Sequence, residues 1–130
     1  MIHYNVVAAV VCHNGKYLCM QKGKTKFEYT SYKWEFPGGK IEPGETPQQA
    51  LARELMEEME YPVEVGEELT TVTHEYPDFS ITMTAFLCTP KAEADGFKRR
   101  EHADSKWCSQ EELKGLDWAA ADVDVVEYIL

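Results

Sequence analysis

The spacing of apolar positions in the N-terminal part of the chain predicts three strands. Residues 6–12 form an unbroken apolar run rich in β-branched side chains, which is typical of a buried strand. Asn14-Gly15 follows and indicates a hairpin, whose second strand spans residues 16–22. Residues 23–33 are polar and without a period, so we expect a mobile loop there, before a short strand at 34–36.

Helical spacing begins after residue 46. Thr46 is a suitable N-cap, Pro47 suits the first helical position, and Gln49 completes a capping box. Apolar residues then recur at every fourth position and predict a stripe that packs on a sheet: Leu51, Leu55 and Met59. Pro62 disfavours helix at the residue before it, so we expect the helix to end near Met59.

The C-terminal half returns to the period of strands. We expect a strand at residues 63–74 with a break at 66–68, and another at 79–88, where apolar and polar residues alternate. Residues 89–105 are highly charged and predict a loop, which leads into a short strand at 106–108.

Two helices are predicted near the C-terminus. Ser109 and Glu112 form a second capping box and indicate a short helix. A terminal helix should bury one apolar face, made of Val123, Val126, Ile129 and Leu130. Mixed strands with two or three helices predict an α+β fold, and we expect residues 1–130 to form a single domain.

Composition and charge restrict the partners. Hydrophobic residues make up 44% of the chain, so we expect a folded protein. The net charge of −10 argues against non-specific binding to nucleic acid or to an anionic membrane. A nucleotide can still enter an acidic site if metal ions lie between the two sets of oxygens.

The cysteines and the N-terminal apolar run indicate a reducing, cytoplasmic location. Four cysteines are present without any C-x-x-C pair, and we expect buried, reduced thiols: Cys12, Cys19, Cys88 and Cys108. The run at residues 6–12 is too short to span a membrane and has no basic segment before it. We therefore expect neither a signal peptide nor a membrane anchor.

The acidic residues of the central helix are the main candidates for chemistry. Glu54, Glu57 and Glu58 are spaced i, i+3 and i+4, which puts three carboxylates on one helical face. Like charges at this spacing destabilise a helix by about 0.2–0.5 kcal/mol per pair. They also lie towards the C-terminal end, where the helix dipole favours cations. The cluster therefore calls for a compensating cation, and carboxylate oxygens suit Mg²⁺ or Mn²⁺.

Residues 39–61 resemble the Nudix box, G-x5-E-x7-R-E-U-x-E-E-x-G-U, where U is a bulky apolar residue. The matching positions are Gly39, Glu45, Arg53, Glu54, Leu55, Glu57, Glu58 and Tyr61. Glu60 departs from the pattern, because the family has glycine there. The preceding Trp-Glu-Phe-Pro-Gly-Gly at 34–39 resembles the MutT-type branch and its CTP pyrophosphohydrolase-like relatives. The resemblance implies an α/β/α sandwich, in which a mixed sheet lies between helices.

The same resemblance implies a set of metal ligands. Glu54 and Glu58 would ligate Mg²⁺ directly, Glu57 would do so directly or through water, and the Gly38 carbonyl would be a further ligand. Glu101, in the predicted loop, aligns with a glutamate that joins the metal site or acts as a base in related enzymes. Glu93 and Asp104 are nearby competitors for that role. His102 could also be a base, although a lone loop histidine is usually just solvated.

Other box residues would have structural roles. In the family, the residues at the positions of Glu45 and Arg53 form an ion pair that holds the glycine loop against the helix. Gly38 and Gly39 permit positive φ angles and a close backbone approach. At Glu60, a non-glycine residue in the left-handed conformation costs roughly 1–2 kcal/mol. Either Glu60 bears some strain or the helix ends differently.

Substrate contacts are expected on both sides of the box. By the same resemblance, Lys22 aligns with a basic residue that contacts phosphate. Lys40 follows the glycines and could do the same, although exposed lysines are common. Phe36 could stack on a nucleobase or lie in the core. Asp78 and Phe79 match the place where MutT-type enzymes position base-contacting residues.

Asp122 stands where relatives read the edge of the base. Its alternative role is an N-cap, because Asp before an apolar-periodic run is suited to capping. As a base contact, its carboxylate would accept a hydrogen bond from an exocyclic amine, which favours cytosine. MutT-type recognition of oxidised guanine more often uses an amide at this position, and oxidised purines stay open.

These features together predict a Mg²⁺-dependent nucleoside triphosphate pyrophosphohydrolase that acts on CTP, dCTP or an oxidised (d)NTP. The products would be a nucleoside monophosphate and pyrophosphate, and the protein would be a monomer or a weak homodimer. One alternative is a hydrolase of diphosphate-linked nucleosides such as ADP-ribose. Another is a nucleotide-sensing module without catalysis. Retention of all the box glutamates and the compact length favour the triphosphate hydrolase.

Overall fold

The computed structural model describes residues 1–130 as a mixed seven-stranded sheet with helices on its two faces. The strands are β1 Ile2–His13, β2 Lys16–Lys22, β3 Trp34–Glu35, β4 Gly38–Lys40, β5 Val63–Glu75, β6 Phe79–Pro90 and β7 His102–Cys108. The helices are α1 Pro47–Met59, α2 Gln110–Leu113 and α3 Ala120–Ile129, with a 3₁₀ turn at Glu28–Thr30. The predicted α+β class and the sandwich of a mixed sheet between helices are confirmed.

The sheet is built around β1, which has neighbours on both sides. The main strand order is β3-β2-β1-β6-β5, with β4 also paired to β1 and β7 to β2. β1 and β6 run parallel from the pair Ile2–Phe79 to the pair Val11–Cys88. The predicted break in β5 is confirmed as shifts of register on either side of Glu68.

Alternate residues of β1 supply two separate cores. Val7, Ala9 and Val11 point to the face covered by α1, where Leu51 and Leu55 are fully buried. Ala8 and Val10 point to the opposite face, which is covered by α3. The unbroken apolar run of β1 is thereby explained, because both faces of this strand are buried.

The predicted turn and helix boundaries are confirmed. Asn14 and Gly15 have φ angles of 52° and 74°, as a two-residue hairpin turn requires. At the start of α1, the Thr46 hydroxyl accepts a hydrogen bond from the backbone N–H of Gln49, whose side chain accepts one from Thr46. Residue 60, directly after α1, adopts the left-handed conformation.

Two predictions about the C-terminal half are wrong. The last strand begins at His102 rather than at residue 106, because its backbone pairs with β2 along most of that strand. On α3, Val123 and Leu130 are exposed, whereas Ala121, Val125 and Val126 are buried. The buried stripe is thus rotated relative to the predicted face, and the small side chain of Ala121 contributes to it.

Local details refine the remaining predictions. Residues 23–33 form a loop, as expected. Hydrogen bonds within this loop join Thr25 to Thr30 and Ser31. The thiols are unpaired, and all are buried except Cys12, which is half-buried. No helix is both long enough and apolar enough to pass through a membrane.

Candidate active site

Gly38 and Gly39, at the start of β4, form what we call the glycine turn. Close packing, rather than unusual backbone angles, explains these two glycines. β4 lies beside β1, where Gly38 pairs with Ala8 and Gly39 with Val7. A Cβ atom at Gly38 would collide with the Val7 carbonyl, and one at Gly39 would collide with the Glu54 carboxylate. Neither glycine has a positive φ angle, so that part of the prediction is wrong. Glycine is required at position 38 because the Val7 carbonyl of β1 occupies the place of a Cβ atom, whereas the Glu54 carboxylate beside Gly39 ends a flexible side chain that can move.

The predicted pair of Glu45 and Arg53 is present and connects three segments. Arg53 Nε donates to Glu45 Oε2 at 2.6 Å, and Nη2 donates to Glu45 Oε1 at 2.9 Å. Nη2 also donates to the Lys40 carbonyl of β4 at 3.0 Å. The hydrogen bonds from Arg53 hold the pKa of Glu45 below its usual range. The guanidinium therefore fixes the position of α1 relative to the glycine turn.

A group of carboxylates, which we call the acidic cluster, gathers beside this turn: Glu35, Glu54, Glu58 and Glu101. Burial is the largest cause that raises the pKa of Glu58, and together with the neighbouring carboxylates Glu54, Glu35 and Glu101 it brings this pKa to about 9. The cluster is therefore short of positive charge.

Glu57 has a different environment from the other box glutamates. Its Oε2 accepts a hydrogen bond from Arg53 Nη1 at 3.0 Å, and 59% of its side chain is exposed. Arg53 Nη1 also donates to Glu54 Oε1 at 3.0 Å. Glu57 therefore lies at the rim of the site, beside the arginine that braces it.

The donor set fits a hard divalent cation. No group of three or more His, Cys, Asp or Glu side chains is arranged as a finished metal site. The acidic cluster nevertheless offers only carboxylate oxygens, the donors that Mg²⁺ and Mn²⁺ prefer. A cation would also neutralise the repulsion that raises the pKa of Glu58.

Glu101 is better placed than its competitors. Its charge acts on Glu58, which puts Glu101 close to the box helix. At Glu93, the backbone carbonyl accepts from Tyr61 Oη at 3.0 Å. Asp104 lies 3.6 Å from Arg99 and is half exposed. Of these three acids, only Glu101 contributes to the raised pKa of Glu58.

Glu35 was not predicted as a site residue, and His102 was considered only as an alternative base. Glu35 Oε2 lies 3.1 Å from His102 Nε2, and Glu35 Oε1 lies 3.6 Å from Lys22 Nζ. The side chain of His102 is only 5% exposed, and its Nδ1 is buried without a hydrogen-bond partner. The expectation of a solvated loop histidine is wrong, because this residue begins β7. The available signal was a glutamate between Trp34 and Phe36 in a strand that is otherwise apolar.

A cleft of about 690 Å³ opens beside the glycine turn. All the predicted substrate-binding residues line it: Lys22, Phe36, Lys40, Asp78, Phe79 and Asp122. Gly38, Gly39 and Glu35 also line the cleft, which therefore reaches the acidic cluster. Its volume is within the range of small-molecule sites, roughly 300–1,000 Å³.

The far side of the cleft is aromatic. Tyr4, Phe27, Tyr76 and Phe79, which we call the aromatic wall, all line it. The ring of Phe79 stacks on Tyr76 with the centroids 4.8 Å apart. Lys40 Nζ lies 4.1 Å from the centroid of the Tyr4 ring, so this lysine sits between the wall and the glycine turn. The wall offers flat apolar surfaces of the kind that accept a nucleobase.

Two predicted base contacts already have partners in the protein. The Asp78 carboxylate accepts a hydrogen bond from Tyr29 Oη at 2.8 Å. Phe36 is buried, with its ring centroid 4.8 Å from that of Trp118. Phe36 is therefore mainly a core residue that reaches the edge of the cleft.

Asp122 is buried at the base of the cleft. The N-cap of α3 is Ala119, so the alternative that Asp122 caps this helix is wrong. Its Oδ1 accepts a hydrogen bond from the Phe36 backbone N–H at 3.0 Å, and the residue is 5% exposed. Burial, aided by the charge of Glu35, raises the pKa of Asp122 to about 8. At neutral pH this carboxyl group can thus donate a hydrogen bond as well as accept one.

Comparisons with known proteins agree with this geometry. A family model described as the NUDIX domain matches residues 3–128. The chain is 35% identical to the CTP pyrophosphohydrolase of Escherichia coli (strain K12) over 122 residues, 94% of this chain and 87% of that protein. It is 42% identical to the 8-oxo-dGTP diphosphatase of Proteus vulgaris over 87 residues, 65% of this chain and 75% of that protein. The solution structure of the E. coli ORF135 protein matches with a TM-score of 0.82 and 33% identity, covering 99% of this chain and 89% of that chain.

The chain therefore belongs to the Nudix family. It is a hydrolase of the MutT type, acting on phosphoric anhydride bonds.

Proposed function

We propose that the protein is a Mg²⁺-dependent pyrophosphohydrolase of nucleoside triphosphates, which converts CTP, dCTP or an oxidised (d)NTP into a nucleoside monophosphate and pyrophosphate. The observation that carries the proposal is the cleft that extends from Glu35 and the two glycines, at the edge of the acidic cluster, to the aromatic wall. This arrangement suits a substrate with a charged phosphate chain at one end and a flat base at the other. The relatives from E. coli and P. vulgaris, a CTP pyrophosphohydrolase and an 8-oxo-dGTP diphosphatase, have activities of this type.

The residues that would hold the metal are Glu54, Glu58, Glu101 and the Gly38 carbonyl, with Glu57 at the rim. When bound, Mg²⁺ neutralises phosphate oxygens and makes water more acidic.

The chain's own residues would orient the triphosphate. Lys22 and Lys40 line the cleft between the acidic cluster and the aromatic wall, where their ammonium groups can bind phosphate oxygens. Glu35 lies 3.6 Å from Lys22 Nζ and so fixes the direction of that side chain. Phe79, supported by Tyr76, gives the base a surface on which to stack.

In the hydrolytic step, the oxygen of a water molecule attacks a phosphorus atom of the chain, and Glu101 accepts the proton that this water loses. The bond from this phosphorus to the bridging oxygen breaks, and the leaving group takes the electron pair. Attack at the α-phosphorus expels pyrophosphate, and attack at the β-phosphorus expels the nucleoside monophosphate. Glu58 is partly buried, and the lower dielectric around it strengthens the interactions of nearby charges with the reacting groups.

Asp122 would distinguish the bases. In its ionised form, it can accept a hydrogen bond from the exocyclic amine of cytosine. In its protonated form, it presents one donor and one acceptor, as an amide does, which suits oxidised guanine. Because burial raises its pKa to about 8, both base classes remain in the proposal.

A product assay tests the proposal. Normal and oxidised ribo- and deoxyribonucleoside triphosphates, together with ADP-ribose, are incubated with the protein and Mg²⁺, with Glu58→Gln as the control. We expect pyrophosphate and a monophosphate from one or two of the triphosphates, and none from the variant.

Other outcomes would separate the alternatives. Two monophosphates released from ADP-ribose would favour the diphosphate-linked substrate. Tight nucleotide binding without any product after prolonged incubation would favour a sensing module. Equal product from wild type and Glu58→Gln would contradict the assignment of the site.

A further inference from the structure

The residue that departs from the Nudix box makes contacts that glycine could not make. Glu60 follows α1 with φ 49° and ψ 39°, and its backbone N–H bonds to the carbonyls of Leu55 and Met56. The backbone thus has the left-handed form that usually selects glycine, and a side chain is disfavoured there. A compensating interaction of the Glu60 carboxylate is therefore expected.

That interaction joins α1 to the loop before β7. Glu60 Oε2 pairs with Lys98 Nζ at 3.1 Å and also with Arg100 Nη2. We call Glu60, Lys98 and Arg100 the loop anchor. Two cations of the loop converge on this one carboxylate.

The loop anchor also caps the end of the helix. The Lys98 backbone N–H donates to the Met59 carbonyl at 2.8 Å, and Arg100 Nη1 donates to the Glu57 carbonyl at 3.4 Å. The last carbonyls of a helix have no partner within it, and cations are favoured at that end of the dipole. The loop therefore satisfies two such carbonyls while it is held by Glu60.

The position of the loop anchor matters because Glu101 comes next in the chain. Glu101 acts on Glu58 from the loop, whereas Glu58 and Glu54 project from α1. The earlier part of the loop is held separately, since Trp107 Nε1 donates to the Ala94 carbonyl at 2.9 Å. The segment next to Glu101 is thus tied to α1 through Lys98 and Arg100.

We propose that Glu60 is a positioning residue, which acts through Lys98 and Arg100 to hold Glu101 against the carboxylates of α1. This inference rests on the role proposed above for Glu101 in the metal site. In this chain, the residue at the glycine position of the box thus links the helix to the loop that completes the acidic cluster.

The first test compares Glu60→Gln with Glu67→Gln, a matched control that removes the same charge from an exposed position of β5. In the metal-free protein, trypsin cleavage after Lys98, Arg99 and Arg100 reports opening of the loop. We expect Glu60→Gln to speed this cleavage about 3- to 10-fold, as the loss of one or two ion pairs would. Glu67→Gln should leave it unchanged.

The second test measures the binding of Mn²⁺, without nucleotide, by isothermal titration calorimetry. We expect Glu60→Gln to raise the Kd for Mn²⁺ by about 3- to 10-fold, since Glu101 is then less well held. On the substrate found in the product assay, kcat should fall while KM changes little. In a double-mutant cycle, Glu60→Gln with Arg100→Gln should be little worse than either single variant.

Glu60→Gly separates positioning from stability. Glycine suits the left-handed backbone, so the Tm should stay level or rise by a few degrees. Trypsin cleavage should nevertheless become faster and Mn²⁺ binding weaker, as for Glu60→Gln.

Wild-type cleavage rates and Mn²⁺ affinity in both Glu60 variants would overturn the inference, as would a wild-type protein that binds no Mn²⁺. If the wild type hydrolyses no nucleotide, the proposed function fails. Cleavage and Mn²⁺ binding still test the loop anchor in that case.

Discussion

The acidic end of the cleft holds a partly buried carboxyl group and the aromatic end holds a buried one, but the groups that surround them differ. At the acidic end, Glu58 lies among other carboxylates that raise its pKa beyond the effect of burial. At the aromatic end, Asp122 accepts a hydrogen bond from the Phe36 backbone N–H, which partly offsets the effect of burial on its pKa. The first end needs a partner from outside the chain, whereas the second is largely satisfied within it.

This difference predicts separate roles for the two ends of the cleft. Repulsion within the acidic cluster creates affinity for a cation, and catalysis should depend steeply on each of its members. The aromatic end is assembled from stable internal contacts, so changes there should alter the choice of base and the stability more than the chemistry.

The largest expected effect is at the acidic end. Glu58→Gln keeps the shape of the side chain but removes its charge, and we expect turnover to fall about 100-fold or more. The measurement is pyrophosphate release with Mg²⁺, with circular dichroism to verify that the fold is intact. A rate close to that of the wild type would mean that Glu58 has no role in the reaction.

The next effect concerns the contact between the glycine turn and α1. Gly39→Ala places a methyl group against the Glu54 carboxylate, which can move away only by loosening its contact with Arg53, and we expect the free energy of unfolding to fall by about 1 kcal/mol. Urea denaturation measures this change. In Gly39→Ala with Glu54→Ala, stability should be partly restored because the colliding atoms are gone, while activity stays lost. No recovery of stability would show that the collision involves other atoms.

At the aromatic end, Asp122 should make stability depend on pH. Burial raises its pKa from 3.8 in an unfolded chain to about 8, so the folded protein binds this proton more tightly than the unfolded chain does. Its contribution to the free energy of unfolding is therefore full below about pH 4 and is lost as the pH rises through about 8.

Asp122→Asn is uncharged at every pH and should lack this loss. Between pH 5 and pH 9, we expect the stability of the variant relative to the wild type to increase by at least ~1.4 kcal/mol, the equivalent of one pKa unit. Urea denaturation at both pH values measures the change, and Asp124→Asn, on the exposed side of α3, is the matched control. A constant difference between variant and wild type would mean that Asp122 is ionised throughout.

The smallest effect is expected at Tyr29. Tyr29→Phe removes the hydrogen bond to Asp78 at an exposed site, and we expect only a slight fall in Tm, smaller than the changes in the other variants. If Asp78 contacts the base, its release should also change the order of preference among nucleotides. An unchanged order would make Asp78 a structural partner of Tyr29 alone.

The sequence was most informative where neighbours along the chain are neighbours in space. The capping box of Thr46 and Gln49, the end of α1 and the pair of Glu45 and Arg53 all lie within one local segment. Local rules of capping and the position of Pro62 predicted the capping box and the end of α1, whereas the pair of Glu45 and Arg53 was implied by the resemblance to the Nudix box.

Contacts between distant segments could not be predicted in the same way. Glu35 and His102 are 67 residues apart, and they meet because β3 and β7 both pair with β2. The early start of β7 has the same origin, since its polar residues are held by backbone pairing and not by an apolar period. Tertiary pairing thus overrode the local pattern in the segment that carries Glu101.

The parallel pairing of β1 with β6 has a consequence for synthesis on the ribosome. The first strand to emerge must wait for residues 79–88 before its long edge is covered. Until then its apolar residues and unpaired backbone groups are open to association with other chains. The cleft is lined by residues from Ile2 to Asp122, so a nascent chain gains its nucleotide site only after residue 122 has been made.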